Sequence, residues 1–141
     1  MARFVDTNIL VYAEDRDAGP KRERAMDLLI DCWNSGDGVV SVQVLKEFYV
    51  TVTRKLRNPL ASQQAEGMVA EYLTWRVVES DSALLRNGIR LSQSASLSLW
   101  DALVVEAALR SGCDRLYSED LNHGQRFGQL EIVNPLLESG R

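Results

Sequence analysis

Four carboxylates occupy positions from which they could act together on a phosphate ester. They are Asp6 in "RFVDTNIL", Glu47 in "SVQVLKEFYVTV", Asp101 in "SLSLWDALVVEAALRSG" and Asp120 in "SEDLNHG". Gathered without a cation, such groups repel one another. One or two hard divalent ions, Mg²⁺ or alternatively Mn²⁺, would reverse that preference and keep them charged. Such ions can bridge a phosphate, stabilise charge on phosphoryl oxygens and activate a water. Phosphodiester hydrolysis would then need neither a base histidine nor a covalent nucleophile. The composition suits that chemistry, because His123 is the only histidine and reads as a loop residue. Cys32 and Cys113, the only cysteines, lie far apart among apolar neighbours and read as free, packed thiols.

The elements that must position these groups alternate. "RFV" (Arg3 to Val5) reads as a strand, and a short helix capped by Asp6 or Thr7 follows it. Gly19-Pro20 opens a second helix running through Trp33, and "SGDG" ends it before a short buried strand, Val39 to Ser41. Ser41 caps a helix expected from about Val42 to Arg54, with Val44, Leu45, Phe48 and Val52 as its apolar stripe. After the break at Asn58-Pro59 come a helix from Ser62 to about Thr74 and a strand from Trp75 to Glu79. Helices near Ser82 to Ser92 and Leu99 to Ser111 precede the last two strands, Arg115 to Ser118 and Leu130 to Val133. Strand and helix in alternation predict a three-layer α/β/α sandwich around a mainly parallel sheet, one domain over residues 1–141.

An open parallel sheet binds ligands at the carboxyl ends of its strands. Asp6 and Asp120 each follow a strand, and the helices carrying Glu47 and Asp101 begin near that same edge if they follow strands in the usual way. Every one of the four also has a structural role open to it. Asp6 could simply cap the short helix, and Asp101 could form a capping box with Ser98. Glu47 could be solvated beside Lys46, and Asp120 could sit in an acidic turn where Glu119 competes with it as a ligand. Four such accidents would all have to land at compatible places in one topology.

Apolar residues make up 45% of the chain and charged residues 26%, as in a soluble globular domain. No apolar run approaches the roughly 20 residues that span a bilayer, and acidic residues interrupt the N-terminal apolar stretch, unlike a signal peptide. No membrane association and a cytoplasmic location are therefore expected. The formal charge of −4 leans away from a protein that coats nucleic acid, although two divalent ions would offset it in full.

At these residues the chain resembles the PIN-domain ribonucleases, specifically the VapC-like toxins of bacterial and archaeal toxin–antitoxin pairs. The resemblance runs over nearly the whole length and is anchored by "FVDTNIL", "SVQVLKEFY", "LWDALVVEAA" and "RLYSEDL". It implies that Asp6, Glu47, Asp101 and Asp120 are the metal ligands and catalytic acids. Ser118 matches a supporting hydroxyl, Thr7 and Asn8 a polar pair that shapes the pocket, and Glu119 a variable position. It further implies endonucleolytic cleavage of RNA with Mg²⁺ or Mn²⁺, by in-line attack of an activated water that leaves a 5′-phosphate and a 3′-hydroxyl. Transfer RNA or a ribosomal RNA loop would be the substrate, an antitoxin the inhibitor, and a homodimer the common assembly.

Lys46 and the run Arg54, Lys55 and Arg57 offer phosphate contacts, with an ordinary solvated basic patch as the alternative. Arg126 could approach phosphate or an antitoxin carboxylate. Tyr12, Tyr49, Trp33, Trp75 and Trp100 read as packing or interface residues. Two other functions compete. One is a noncatalytic PIN-like module that binds RNA or protein; the other is a structure-specific DNA nuclease, for which the chain has little room for added DNA-binding elements. A haloacid-dehalogenase-like phosphatase would want a second acid two residues after the first, where this chain has Asn8.

Overall fold

A computed structural model describes residues 1–137; residues 138–141, the end of the expected domain, lie outside the described residues. The strands are β1 (Arg3–Val5), β2 (Gly38–Ser41), β3 (Arg76–Val78), β4 (Arg115–Tyr117), β5 (Arg126–Phe127) and β6 (Leu130–Val133). The helices are α1 (Thr7–Glu14), α2 (Pro20–Ser35), α3 (Val42–Val50), α4 (Ser62–Tyr72), α5 (Ser82–Ala95) and α6 (Leu99–Arg110).

All six strands share one sheet in the order β3-β2-β1-β4-β6-β5. Every pairing is parallel except the edge pair β5–β6. The expected α/β/α sandwich with a mainly parallel sheet is the observed architecture. A parallel sheet covered on both faces needs strands that are apolar on both sides. Phe4, Val5, Val39 and Val40 meet that need and are essentially fully buried. Phe48 and Val44 from α3, Ile9 and Leu10 from α1, and Val105 and Ala108 from α6 close the core over them. Burying each of the larger of these side chains stabilises the fold by about 1.5–3 kcal/mol.

The order runs one way from β1 through β2 to β3 and the other way through β4. The switch point, where such sheets open a crevice, therefore falls between the carboxyl ends of β1 and β4. Asp6 follows β1 directly, and its backbone N–H donates to the Tyr117 carbonyl at 2.9 Å, which clamps the two strand ends together. Helices that follow or precede parallel strands run antiparallel to them. The N-termini of α1, α3 and α6 consequently gather at this same edge.

Two elements differ from the sequence reading. The expected helix from Val42 to Arg54 is α-helical only to Val50, and Thr51–Lys55 forms a π-helical turn. Its wider ring is closed by the Leu56 N–H on the Thr51 carbonyl at 3.2 Å. Side-chain pattern cannot reveal this, because one inserted residue leaves the apolar stripe through Val52 intact. Strand β5 has no counterpart in the sequence reading. It is two residues long, carries a single apolar side chain, and exists because Gly128, at φ +61°, turns the chain back along β6.

Gly38 opens β2 against the ring of Trp75, which itself packs edge-on against Trp33 and Tyr72. A Cβ at Gly38 would come within 2.5 Å of that ring. Gly38→Ala is expected to destabilise the protein by about 1–3 kcal/mol, read as a lower urea midpoint with an unchanged slope. Wild-type stability in that variant would contradict the packing described. Cys32 and Cys113 are both free and buried.

Candidate functional site

Asp6 is 5% exposed. Its Oδ1 accepts the Thr7 N–H at 2.7 Å, the helix-capping contact, while its Oδ2 accepts the Ser118 hydroxyl at 2.7 Å. Capping and site-building thus use different oxygens of one carboxylate. Ser118 is fully buried at the end of β4 and also receives the Asp120 N–H at 3.2 Å. The Asn8 side-chain oxygen accepts the Glu119 N–H at 3.2 Å, and its amide stands 3.5 Å from Asp6 Oδ2. Asp6 and Asn8 therefore stitch the β1 and β4 ends together, and with Thr7 they line the crevice.

That crevice is a cleft of about 700 Å³ whose lining includes Asp6, Thr7, Asn8, Glu47, Asp101 and Asp120. Glu47 reaches it from the second turn of α3 and accepts the Thr7 hydroxyl at 3.1 Å. Asp101 reaches it from the first turn of α6, where Ser98 caps the Asp101 N–H at 3.1 Å. Burial pushes the Asp6 carboxyl up to about 6; the Ser118 and Thr7 bonds act against this, and the charges of Asp120 and Asp101 add to it. The Asp101 carboxyl is also raised, first by burial and then by Asp120. Among the described residues none of the four lining carboxylates is in an ion pair.

This is an electrostatically unbalanced set of oxygen donors, and its chemistry fits a hard divalent cation. The four have not closed into a ligand set. No group of three or more His, Cys, Asp or Glu side chains among the described residues is gathered closely enough to hold a metal.

The family model described as the PIN domain matches residues 3–126. The chain belongs to the PIN-domain family. This PIN domain is 26% identical over 144 residues to Ribonuclease VapC24 of Mycobacterium tuberculosis, an alignment covering 96% of the chain and 98% of that relative. A toxin–antitoxin complex from Klebsiella pneumoniae contains a similar fold, with a TM-score of 0.70, 20% identity, and 96% and 98% of the two chains covered. VapC20 of M. tuberculosis, described as a sarcin–ricin loop cleaving toxin, superposes with a TM-score of 0.64 at 18% identity over 83% of this chain and 88% of its own.

Within the PIN domain, neighbouring acids separate clearly. Asp120 lines the cleft, whereas Glu119 is held by Lys21 at 2.6 Å and by the Tyr12 hydroxyl. Burial works against the Glu119 charge, yet the Lys21 and Tyr12 bonds outweigh it and hold the carboxyl below its ordinary value. Glu119 is thereby tied to α1 and α2.

The basic residues separate too. Lys46 and Lys55 line the cleft; Arg54, exposed on the π-helical turn, does not. Arg126 lies on β5, 3.4 Å from Glu131. His123 accepts the Asn134 N–H through Nδ1 at 2.9 Å.

Sequence reasoning passed over Thr51, Tyr12 and Trp100 as cleft residues. The π-helical turn that bears on Thr51 leaves no sequence signal. The wheel position of Trp100 groups it with buried Val104 and Ala107, but as a first-turn residue of α6 it stands at the sheet's carboxyl edge and is 62% exposed. No helix of the described residues is long and apolar enough to cross a membrane.

Proposed function

We propose that this PIN domain is a divalent-metal-dependent endoribonuclease and the toxin of a toxin–antitoxin pair, acting in the cytoplasm on structured RNA such as transfer or ribosomal RNA. The observation that carries the reading is the cleft at the sheet's switch point. Four carboxylates without cationic partners line it, and two lysines stand among them. Kinship with a VapC ribonuclease at matched length supports the substrate class.

Asp6, Glu47, Asp101 and Asp120 would hold Mg²⁺, or Mn²⁺ in its place. The bound cation would supply Lewis-acid polarisation of the phosphoryl oxygens and a lowered pKa for water. The chain's own work is preparation. Ser118 and the Thr7 N–H fix the Asp6 carboxylate, and the Thr7 hydroxyl orients Glu47 across from it. Lys46 and Lys55 offer ammonium groups to the phosphates flanking the scissile bond. Water attack in line with the leaving 3′-oxygen gives a 5′-phosphate and a 3′-hydroxyl.

The open spacing of the carboxylates favours one rival, a PIN module that binds RNA without cutting it. Purified protein incubated with total RNA and Mg²⁺ distinguishes them: cleavage is expected, and intact RNA across many substrates would favour the rival. The two neighbouring acids provide a sharper comparison. Asp120→Asn is expected to lower the rate more than about tenfold, whereas Glu119→Gln stays within a few-fold. Equal losses would remove Asp120's special role.

An antitoxin and a second copy of the chain are the proposed protein partners. Co-purification from the native host with a small DNA-binding protein is the expected result for the first. For the second, a mass of twice the chain by light scattering is expected.

A further inference from the structure

Tryptophan normally buries most of its large surface, yet Trp100 is 62% exposed at the start of α6. It stands between two hollows. One is the acidic cleft. The other, of about 680 Å³, is lined by Gln43, Ser80, Ser82, Leu85 and Leu103, with Asp81 at its side. Lys46, Glu47 and Trp100 line both, so the hollows are neighbours that meet at these three side chains.

The charges along this path are set unevenly. Asp81, the acid peculiar to the second hollow, is already engaged: Oδ1 accepts the Leu84 N–H at 2.9 Å and Oδ2 pairs with Arg110 at 2.8 Å. Lys46 is exposed and takes part in no ion pair among the described residues. A strand spanning the two hollows therefore has within reach an uncommitted ammonium group, an exposed indole, and hydroxyl and amide groups beside the apolar Leu85 and Leu103. A nucleotide of a single-stranded RNA presents the matching sequence of groups: phosphate, base face and base edge. Sequence-tolerant stacking on an aromatic ring beside a phosphate-tracking cation is how single strands are commonly held.

We propose that Trp100 is a stacking platform for a base flanking the cleaved phosphodiester. Lys46 holds the phosphate between that base and the cleft, and Ser82 and Gln43, whose amide N–H also reaches the Trp100 carbonyl at 3.5 Å, line the hollow to meet the base edge. The assignment rests on the ribonuclease reading and adds a positioning residue to it. Trp100 supplies no atom to the reaction; it fixes the register in which the strand crosses the carboxylates.

The test uses the full chain as wild type, Trp100→Ala and Trp100→Phe. Anisotropy of a fluorescein-labelled, 12-nucleotide single-stranded RNA in Ca²⁺ gives binding, and initial rates in Mg²⁺ give kcat and KM. Removal of one stacked base is expected to weaken binding and raise KM by about tenfold or more, with the loss falling on KM rather than kcat. Trp100→Phe should recover most of the affinity. RNA should also quench tryptophan emission in the wild type and much less in Trp100→Phe, where binding persists without the reporting indole.

A wild-type KM and affinity in Trp100→Ala would overturn the proposal while leaving the ribonuclease reading intact. A change confined to oligomer mass would also overturn it, assigning the hollow to a second copy of the chain. Failure of the wild type to bind or cleave any RNA would remove both readings together.

Discussion

Asp6→Asn and Asp101→Asn are each expected to lower RNA cleavage more than about 100-fold while the protein remains folded. The two variants fail for the same electrostatic reason from different elements. Asp6 arrives on the end of β1 and Asp101 on the first turn of α6, and an amide in either place removes one negative oxygen donor from the set that would hold the cation. Neither change should cost the fold. An asparagine in place of Asp6 keeps a side-chain oxygen to accept the Thr7 N–H, and Ser98 still caps α6 at residue 101. Initial rates beside circular dichroism spectra check both halves of the expectation. Undiminished cutting by either variant would sink the assignment of the four carboxylates.

Stability should carry the same signature with the opposite sign. The Asp6 carboxyl lies near 6 in the fold, mainly through burial, against about 3.9 in an unfolded chain. Between roughly pH 4 and pH 6 the native state therefore binds more protons than the unfolded state at this site. Its contribution makes stability fall as pH rises through that window and level off above it.

The penalty at pH 7 amounts to about 3 kcal/mol at most. In EDTA, Asp6→Asn should then be more stable than wild type at pH 7, with the advantage vanishing near pH 4. Urea unfolding of both proteins at the two pH values measures it, and the comparison between variants cancels carboxylates elsewhere, such as Asp81, whose shift runs the other way. Excess Mg²⁺ should close most of that gap by binding the wild-type fold; a concentration of 100 times Kd is worth about 2.7 kcal/mol. Equal stability of the two proteins at pH 7 in EDTA, or a midpoint indifferent to Mg²⁺, would contradict the electrostatic picture of the cleft.

The contrast between Asp6 and Lys55 shows how far the amino-acid order carries this fold. Asp6 was legible because a strand as short as "RFV" must end where it does, and alternation of strands and helices then fixes which sheet edge it reaches. The same logic brought Glu47 and Asp101 there, since each lies within two turns of a helix N-terminus. Asp120 and Glu119 were separated in the sequence only by the family resemblance, not by periodicity; the physical difference lies in Lys21 and Tyr12, distant in sequence, which take Glu119 for themselves.

Lys55 and its neighbour Arg54 looked equivalent as a basic run; the π-helical turn brings only the first into the cleft lining. Strand β5 escaped for a related reason: an edge pairing of two residues draws its stability from the neighbouring strand and leaves almost no periodicity of its own. Local pattern reports which face a residue takes within an element. It does not report where that element stops, and the exposure of Trp100 is a consequence of stopping.

The central claim, that carboxylates and a divalent cation cut RNA in this cleft, is tested most directly by the chemistry of the new ends. Purified wild-type protein should cleave RNA in Mg²⁺ or Mn²⁺, stop in EDTA, and leave 5′-phosphate and 3′-hydroxyl termini that ligate without prior kinase treatment. Cleavage that persists in EDTA and yields 2′,3′-cyclic phosphates would mean attack by the RNA's own 2′-hydroxyl, and would contradict it.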